Sequence, residues 1–204
     1  MDDKAVHAVR ILGIDPGLNF TGYGFVDYVP GVLRHVASGV IVTPKGELSE
    51  RLGYIFSELG KLIELYSPMV STIEKTFLNS NAQSSMLLSH ARGAAMTAAA
   101  VHRLACREFS TREIKKSVTG YGAATKDQVQ ELVKFHLHIE EDLSSDQADA
   151  LAAAICYANS SILLDRVPAL SNKVGSSGTG TARRGSSSRR SRNEWTRLYE
   201  GKQK

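Results

Sequence analysis

Four carboxylates in this chain stand where secondary structure begins or ends. Asp15 follows the apolar run Val9-Arg10-Ile11-Leu12-Gly13-Ile14 and precedes Pro16-Gly17, and it is the only charge between Arg10 and Asp27. Glu74 closes the β-branched run Pro68-Met69-Val70-Ser71-Thr72-Ile73. Asp146 and Asp149 lie three apart in Asp146-Gln147-Ala148-Asp149-Ala150-Leu151-Ala152, a spacing that puts both on one helix face. Singly, each has an ordinary explanation: an acid after a strand can bond its own turn, and acids in a first helical turn suit the helix dipole. Brought to one sheet edge, they would repel, each close pair by about 4 kcal/mol at roughly 4 Å in an effective dielectric near 20. Divalent cations remove that cost, and hard oxygen ligands without a His or Cys pair select magnesium or manganese over zinc. Two such ions about 4 Å apart can activate a water and stabilise the leaving oxygen in phosphodiester hydrolysis.

The elements that would position these acids can be read from the pattern. An apolar run without polar alternation is a strand buried on both faces, which places Asp15 at a strand end. Residues 23–29 and 33–42 read as two further strands separated by Pro30-Gly31, giving an antiparallel meander. Ser49 is the expected cap of a helix whose apolar face is Leu52, Ile55, Phe56, Leu59, Leu62, Ile63 and Tyr66. The strand ending at Glu74 follows in βαβ fashion. Residues 81–102 read as a helix rich in small residues, residues 106–109 as a last strand, and residues 111–118 as a short helix. Thr125 with Gln128 forms a capping box, and Ser144 or Ser145 caps a final helix over about 146–159. The order describes an α/β fold: a mixed sheet of three antiparallel strands, then parallel strands, flanked by helices.

Composition bounds the rest. The chain has 204 residues, 42% hydrophobic and 23% charged, enough for one ordinary core, and no run is long enough to span a bilayer. The first residues lack the basic start and apolar centre of a secretory signal, and Cys106 and Cys156 read as buried free thiols, so a cytoplasmic protein without membrane association is expected. The net charge of +4 is uneven: from Ser171 onward there are nine Lys or Arg against Glu194 and Glu200, which leaves the preceding residues net negative. The expected organisation is an extension over 1–8, one domain over 9–165, and a basic, Ser/Gly/Arg-rich tail over 166–204 too polar to pack. That tail serves either attraction to polyanions or plain solubility.

Gly13-Ile14-Asp15-Pro16-Gly17 with Thr21-Gly22-Tyr23-Gly24, then Ile73-Glu74-Lys75-Thr76-Phe77, Ala91-Arg92-Gly93 and Asp146-Gln147-Ala148-Asp149, together resemble the RuvC family of bacterial Holliday junction resolvases. Gly-Ile-Asp-x-Gly alone also opens actin-like ATPases; the resemblance rests on the set, in order, over about residues 9–160. It implies a ribonuclease H-like endonuclease, working as a homodimer with the RuvA–RuvB branch-migration complex, that nicks two strands of a four-way DNA junction symmetrically in recombination and repair. It implies two magnesium ions per site, with manganese able to substitute, held by Asp15, Glu74, Asp146 and Asp149. Lys115 and Lys126 match the family's lysines beside the scissile phosphate, a role that suits a point charge. Phe77 matches an aromatic that stacks on unpaired bases, worth about 1–3 kcal/mol per base. Arg92 contacts phosphate or makes a structural hydrogen bond to a loop; the sequence leaves both open.

Overall fold

The computed structural model describes residues 8–75 and 82–166. Phe77 and the basic tail therefore lie outside the described residues. A five-stranded sheet runs in the order β3-β2-β1-β4-β5, with β1 (Val9–Asp15), β2 (Phe20–Val29) and β3 (Val32–Val42) antiparallel neighbours. The strands β4 (Val70–Glu74) and β5 (Ala105–Phe109) extend it in parallel from β1. Between and after them, among the described residues, come five helices: α1 (Leu48–Tyr66), α2 (Ala82–Val101), α3 (Thr111–Thr119), α4 (Lys126–Leu137) and α5 (Ser145–Arg166). Three details differ from the sequence reading, the first being that β2 opens at Phe20 and not at residue 23. The cap of α1 is Glu47, whose N–H donates to the Glu50 carboxylate, rather than Ser49: a Glu three residues on closes the reciprocal box, and Ser49 falls inside the first turn. The last helix runs on to Arg166 instead of ending near Asn159.

Strand alternation sorts the sheet into two faces. Leu12 and Ile14 of β1, Phe25 of β2 and Ile73 of β4 pack with Ile55, Leu59 and Ile63 of α1 and with Ala91, Ala95 and Ala98 of α2. On the opposite face Ile11, Val26 and Val70 pack against α3, α4 and α5, where Ile114, Val133, Leu151 and Ile155 are buried. By the same alternation Asp15, Gly22 and Glu74 belong to the α5 face, all at one end of adjacent strands. Both cores are built from apolar side chains with little solvent exposure, so the sheet is a stiff platform for whatever its end presents.

A glycine with no such packing duty offers a control on this picture. Gly53 lies in α1 with open space around the place a Cβ would take. Gly53→Ala is expected to stabilise the protein by roughly 1 kcal/mol, because glycine in an exposed helix interior wastes backbone entropy. Thermal melting should show a rise of about 2–4 °C; a fall would contradict the open environment.

Candidate active site

The turn after Asp15 is locked by hydrogen bonds from two side chains. The fully buried Thr21 donates its hydroxyl to the Gly17 carbonyl at 2.8 Å. Arg51 of α1 donates to the Leu18 carbonyl at 2.9 Å and to Asn19 Oδ1 at 2.7 Å. Asp15 is thus delivered at a fixed point, opposite Gly22 in the β1–β2 register and one step beyond the Ile14–Ile73 pair that sets Glu74 beside it.

The other two acids arrive on α5, and three glycines let that helix come close. A Cβ on Gly13 would collide with the Ala150 carbonyl, one on Gly22 with the Asp146 carbonyl, and one on Gly24 would stand 2.5 Å from Leu151 Cδ2. The helix backbone therefore lies directly on β1 and β2, and its first turn sits on Gly22, the partner of Asp15. Ser144 caps that turn: its N–H donates to Gln147 Oε1 at 3.0 Å and its Oγ accepts from the Gln147 N–H at 3.3 Å. Gln147, between the two acids, also reaches Ser38 of β3 at 3.4 Å, and His35 lies 3.0 Å from the same hydroxyl. These glycines appear in the sequence only as motif letters; their shared strand face is the signal that marks a docking groove.

Electrostatics follow from this convergence. Burial first, then the nearby charges of Asp149, Asp146 and Glu74, push the Asp15 carboxyl up to about 7, against a smaller downward pull from Lys126. Asp149 turns to Lys126, whose ammonium stands 2.9 Å from Asp149 Oδ2, and that hydrogen bond raises the Lys126 pKa. Glu74 turns instead to the Thr111 hydroxyl, which donates to its Oε1. The expected cluster of four is thus brought to one sheet end. Among the described residues, however, no three His, Cys, Asp or Glu side chains close into an ion cage by themselves. Four carboxylates with oxygen donors alone are a set that suits a hard divalent cation, whose charge would offset the crowding that raises Asp15.

The sequence profile described as Crossover junction endodeoxyribonuclease RuvC matches residues 11–157. The chain belongs to the RuvC family. Relatives in that family include the crossover junction endodeoxyribonucleases RuvC of Burkholderia vietnamiensis and Paraburkholderia phytofirmans, 44% and 43% identical over 169 residues, spanning 81% of this chain and 94% of each of theirs. Thermus thermophilus RuvC, solved in complex with a Holliday junction substrate, superposes with a TM-score of 0.72 at 26% identity over 76% of this chain and 96% of that one. The yeast mitochondrial Holliday junction resolvase Ydc2 superposes at a TM-score of 0.63 over 84% of this chain and 89% of its own, a likeness of fold alone at 14% identity. The mixed sheet and its helices are the ribonuclease H-like fold of RuvC, and this RuvC-family chain is an endodeoxyribonuclease of a metal-dependent family.

The remaining RuvC-like positions divide. Lys126 is at the acids. The Lys115 ammonium donates to the Ala124 carbonyl at 2.7 Å, tying α3 to the residue before the Thr125 cap of α4. It lines an open cleft with Thr111, Arg112, Lys116 and Tyr121, next to Glu74 through Thr111. Arg92 is taken up internally, donating from Nε to the Glu74 carbonyl at 3.3 Å and pairing with Glu108. Its partners are strand residues of β4 and β5, where the sequence reading offered a phosphate or a loop. His136 faces the Val118 carbonyl at 2.9 Å and His138 ends α4 in a left-handed conformation, consistent with roles in packing and capping.

Proposed function

We propose that this protein resolves four-way DNA junctions by paired, symmetric nicks, as a phosphodiester-hydrolysing endonuclease acting in recombination and repair. The observation that carries the reading is the meeting of Asp15, Glu74, Asp146 and Asp149 at one sheet end in a chain of the RuvC family. Those four side chains are the ones that would hold magnesium, or manganese in its place, as two ions per site. When bound, such ions lower the pKa of an attacking water and take up charge on the leaving oxygen. The protein's own groups do the rest. The sheet end and the first turn of α5 fix where a scissile phosphate can lie. Lys126, once Asp149 is engaged elsewhere, presents an ammonium to a non-bridging oxygen. A cation in a helix's first turn opposes the helix dipole, so the local structure gives no reason for a lysine there, and the site does. Arg112, Lys115 and Lys116 beside the exposed Tyr121 make the neighbouring cleft a cationic surface suited to the DNA backbone.

A two-fold substrate cut twice is matched by a C2 homodimer, and the exposed Met86 and Leu87 near the start of α2 give such a dimer apolar surface to bury. RuvA–RuvB as partner follows from the family. Residues 9–165 are read as the nuclease domain, and the nine basic residues from Lys173 onward as an arm that adds salt-dependent affinity for DNA. No helix among the described residues is long and apolar enough to cross a membrane, and a cytoplasmic location suits a DNA-acting enzyme.

The test is cleavage of a synthetic four-way junction with and without magnesium, with linear duplex as control. Junction-selective, metal-dependent nicking supports the reading; equal cutting of duplex, or cutting in chelator, refutes it. Lys126→Ala should lower the rate at least about 10²-fold, the loss expected for one electrostatic stabiliser, while junction binding in calcium changes less than about threefold. Unchanged cleavage would remove Lys126 from the site.

A further inference from the structure

We infer that Thr111 is a positioning residue for Glu74, its hydroxyl holding the carboxylate in the rotamer that completes the cation site. The inference rests on the proposed role of Glu74 as a metal-holding acid. The backbone of Glu74 is already clamped. Arg92 donates to its carbonyl from α2 and is itself anchored by Glu108 of β5, and the Lys75 N–H donates to the Phe109 carbonyl at 2.7 Å. What these contacts leave free is the side chain, a long carboxylate at a strand end with several rotamers open to it. Among the described residues the hydrogen bond that fixes it comes from Thr111, whose Oγ1 donates to Glu74 Oε1.

Thr111 can do this because its own position is rigid. It is the first residue of α3, directly after the Ser110 cap, where the Glu113 carboxylate accepts from both the Ser110 N–H and its hydroxyl at 2.7 Å. A hydroxyl bonded to one carboxylate oxygen leaves lone pairs on both oxygens for a cation and settles which way they face, as outer partners of metal ligands do. The same helix carries Lys115 one turn on, which ties α3 to the start of α4, and Lys126 opens α4 at the other acids. Thr111 therefore links Glu74 to the helix pair that carries both lysines.

The experiment is manganese binding to the full-length, metal-free protein by titration calorimetry, a reading independent of cleavage, for Thr111→Val, Thr111→Ser and Glu74→Gln. Valine keeps the shape and removes the donor; serine keeps the donor. Thr111→Val should weaken manganese binding about tenfold, with Thr111→Ser within about twofold of wild type and melting temperatures alike. In cleavage assays Thr111→Val should need correspondingly more manganese for half-maximal rate, with unchanged KM for the junction. If Glu74→Gln loses manganese but Thr111→Val binds it as wild type does, or if serine fails to rescue, Thr111 is not a positioning residue. If Glu74→Gln itself binds manganese and cleaves normally, the underlying role of Glu74 fails, a separate result read from a different variant.

Discussion

Asp15→Asn is expected to abolish junction cleavage, by more than about 10³-fold, and at the same time to make the metal-free protein more stable at pH 8. The first effect follows from its place at the centre of the four acids. The second follows from the cost of its charge. In the folded protein the Asp15 carboxyl is raised from 3.8 to about 7 by burial and then by Asp149, Asp146 and Glu74. An acid that holds its proton more tightly when folded loses stability as it ionises. The penalty is absent below about pH 4, grows between pH 4 and 7, and is complete above that, of order 4 kcal/mol at 1.36 kcal/mol per unit. Asparagine keeps the shape without the charge, so at pH 8 it should recover part of that penalty as a rise of several degrees in melting temperature, and at pH 4 it should recover none. Saturating magnesium should narrow the gap from the other side, stabilising wild type more than the variant. A variant that cleaves at the wild-type rate, or whose advantage does not grow between pH 4 and pH 8, would contradict this account of Asp15.

The acids were legible in the sequence because each interrupts or opens a pattern: Asp15 and Glu74 end apolar runs, and Asp146 follows a capping serine. Strand alternation and helical spacing are local, so the element order and the two-faced sheet came with them. What was not legible is contact between distant segments. Arg92 is claimed by Glu108 and by the Glu74 carbonyl, sixteen and eighteen positions away across α2, β4 and β5, and no local spacing shows a side chain already in use. The Lys115–Ala124 bond is likewise invisible in the sequence, because a lysine's stem can reach a nearby carbonyl that no spacing marks. The sequence marks Thr111 only as a helix start; that its hydroxyl meets Glu74 depends on β4 and β5 being parallel neighbours, which brings residue 74 level with Phe109, two positions before Thr111. Residue type alone points to Ser49 as a cap, whereas the Glu47–Glu50 pair makes the reciprocal bonds.

Gly22→Ala is expected to separate loss of activity from loss of fold. In the antiparallel register Gly22 is the residue opposite Asp15, and the Cβ an alanine would carry falls on the Asp146 carbonyl, with Asp146 Cβ 3.1 Å away. Both obstacles belong to the first turn of α5, and a helix backbone cannot step aside as the tip of a side chain can. Relief must come from lifting that turn off β2, which carries Asp146 and Asp149 away from Asp15 and breaks the Ser38–Gln147 bond that ties the turn to β3. Farther along, α5 remains seated through Leu151 and Ile155 in the core, so the helix should tilt at its start instead of detaching. Overpacking of this kind costs about 1–3 kcal/mol, which a domain of this size can survive. A displacement near 1 Å at the reacting groups can cost about 10²-fold in rate. The expected result is a protein that melts several degrees lower, with native circular dichroism, unimpaired junction binding and cleavage reduced at least about 10²-fold. Gly13→Ala meets the Ala150 carbonyl in the body of the same helix and should lower stability more for the same added methyl. If Gly22→Ala cleaves at the wild-type rate, close contact between β2 and the first turn of α5 is not what holds the acids together.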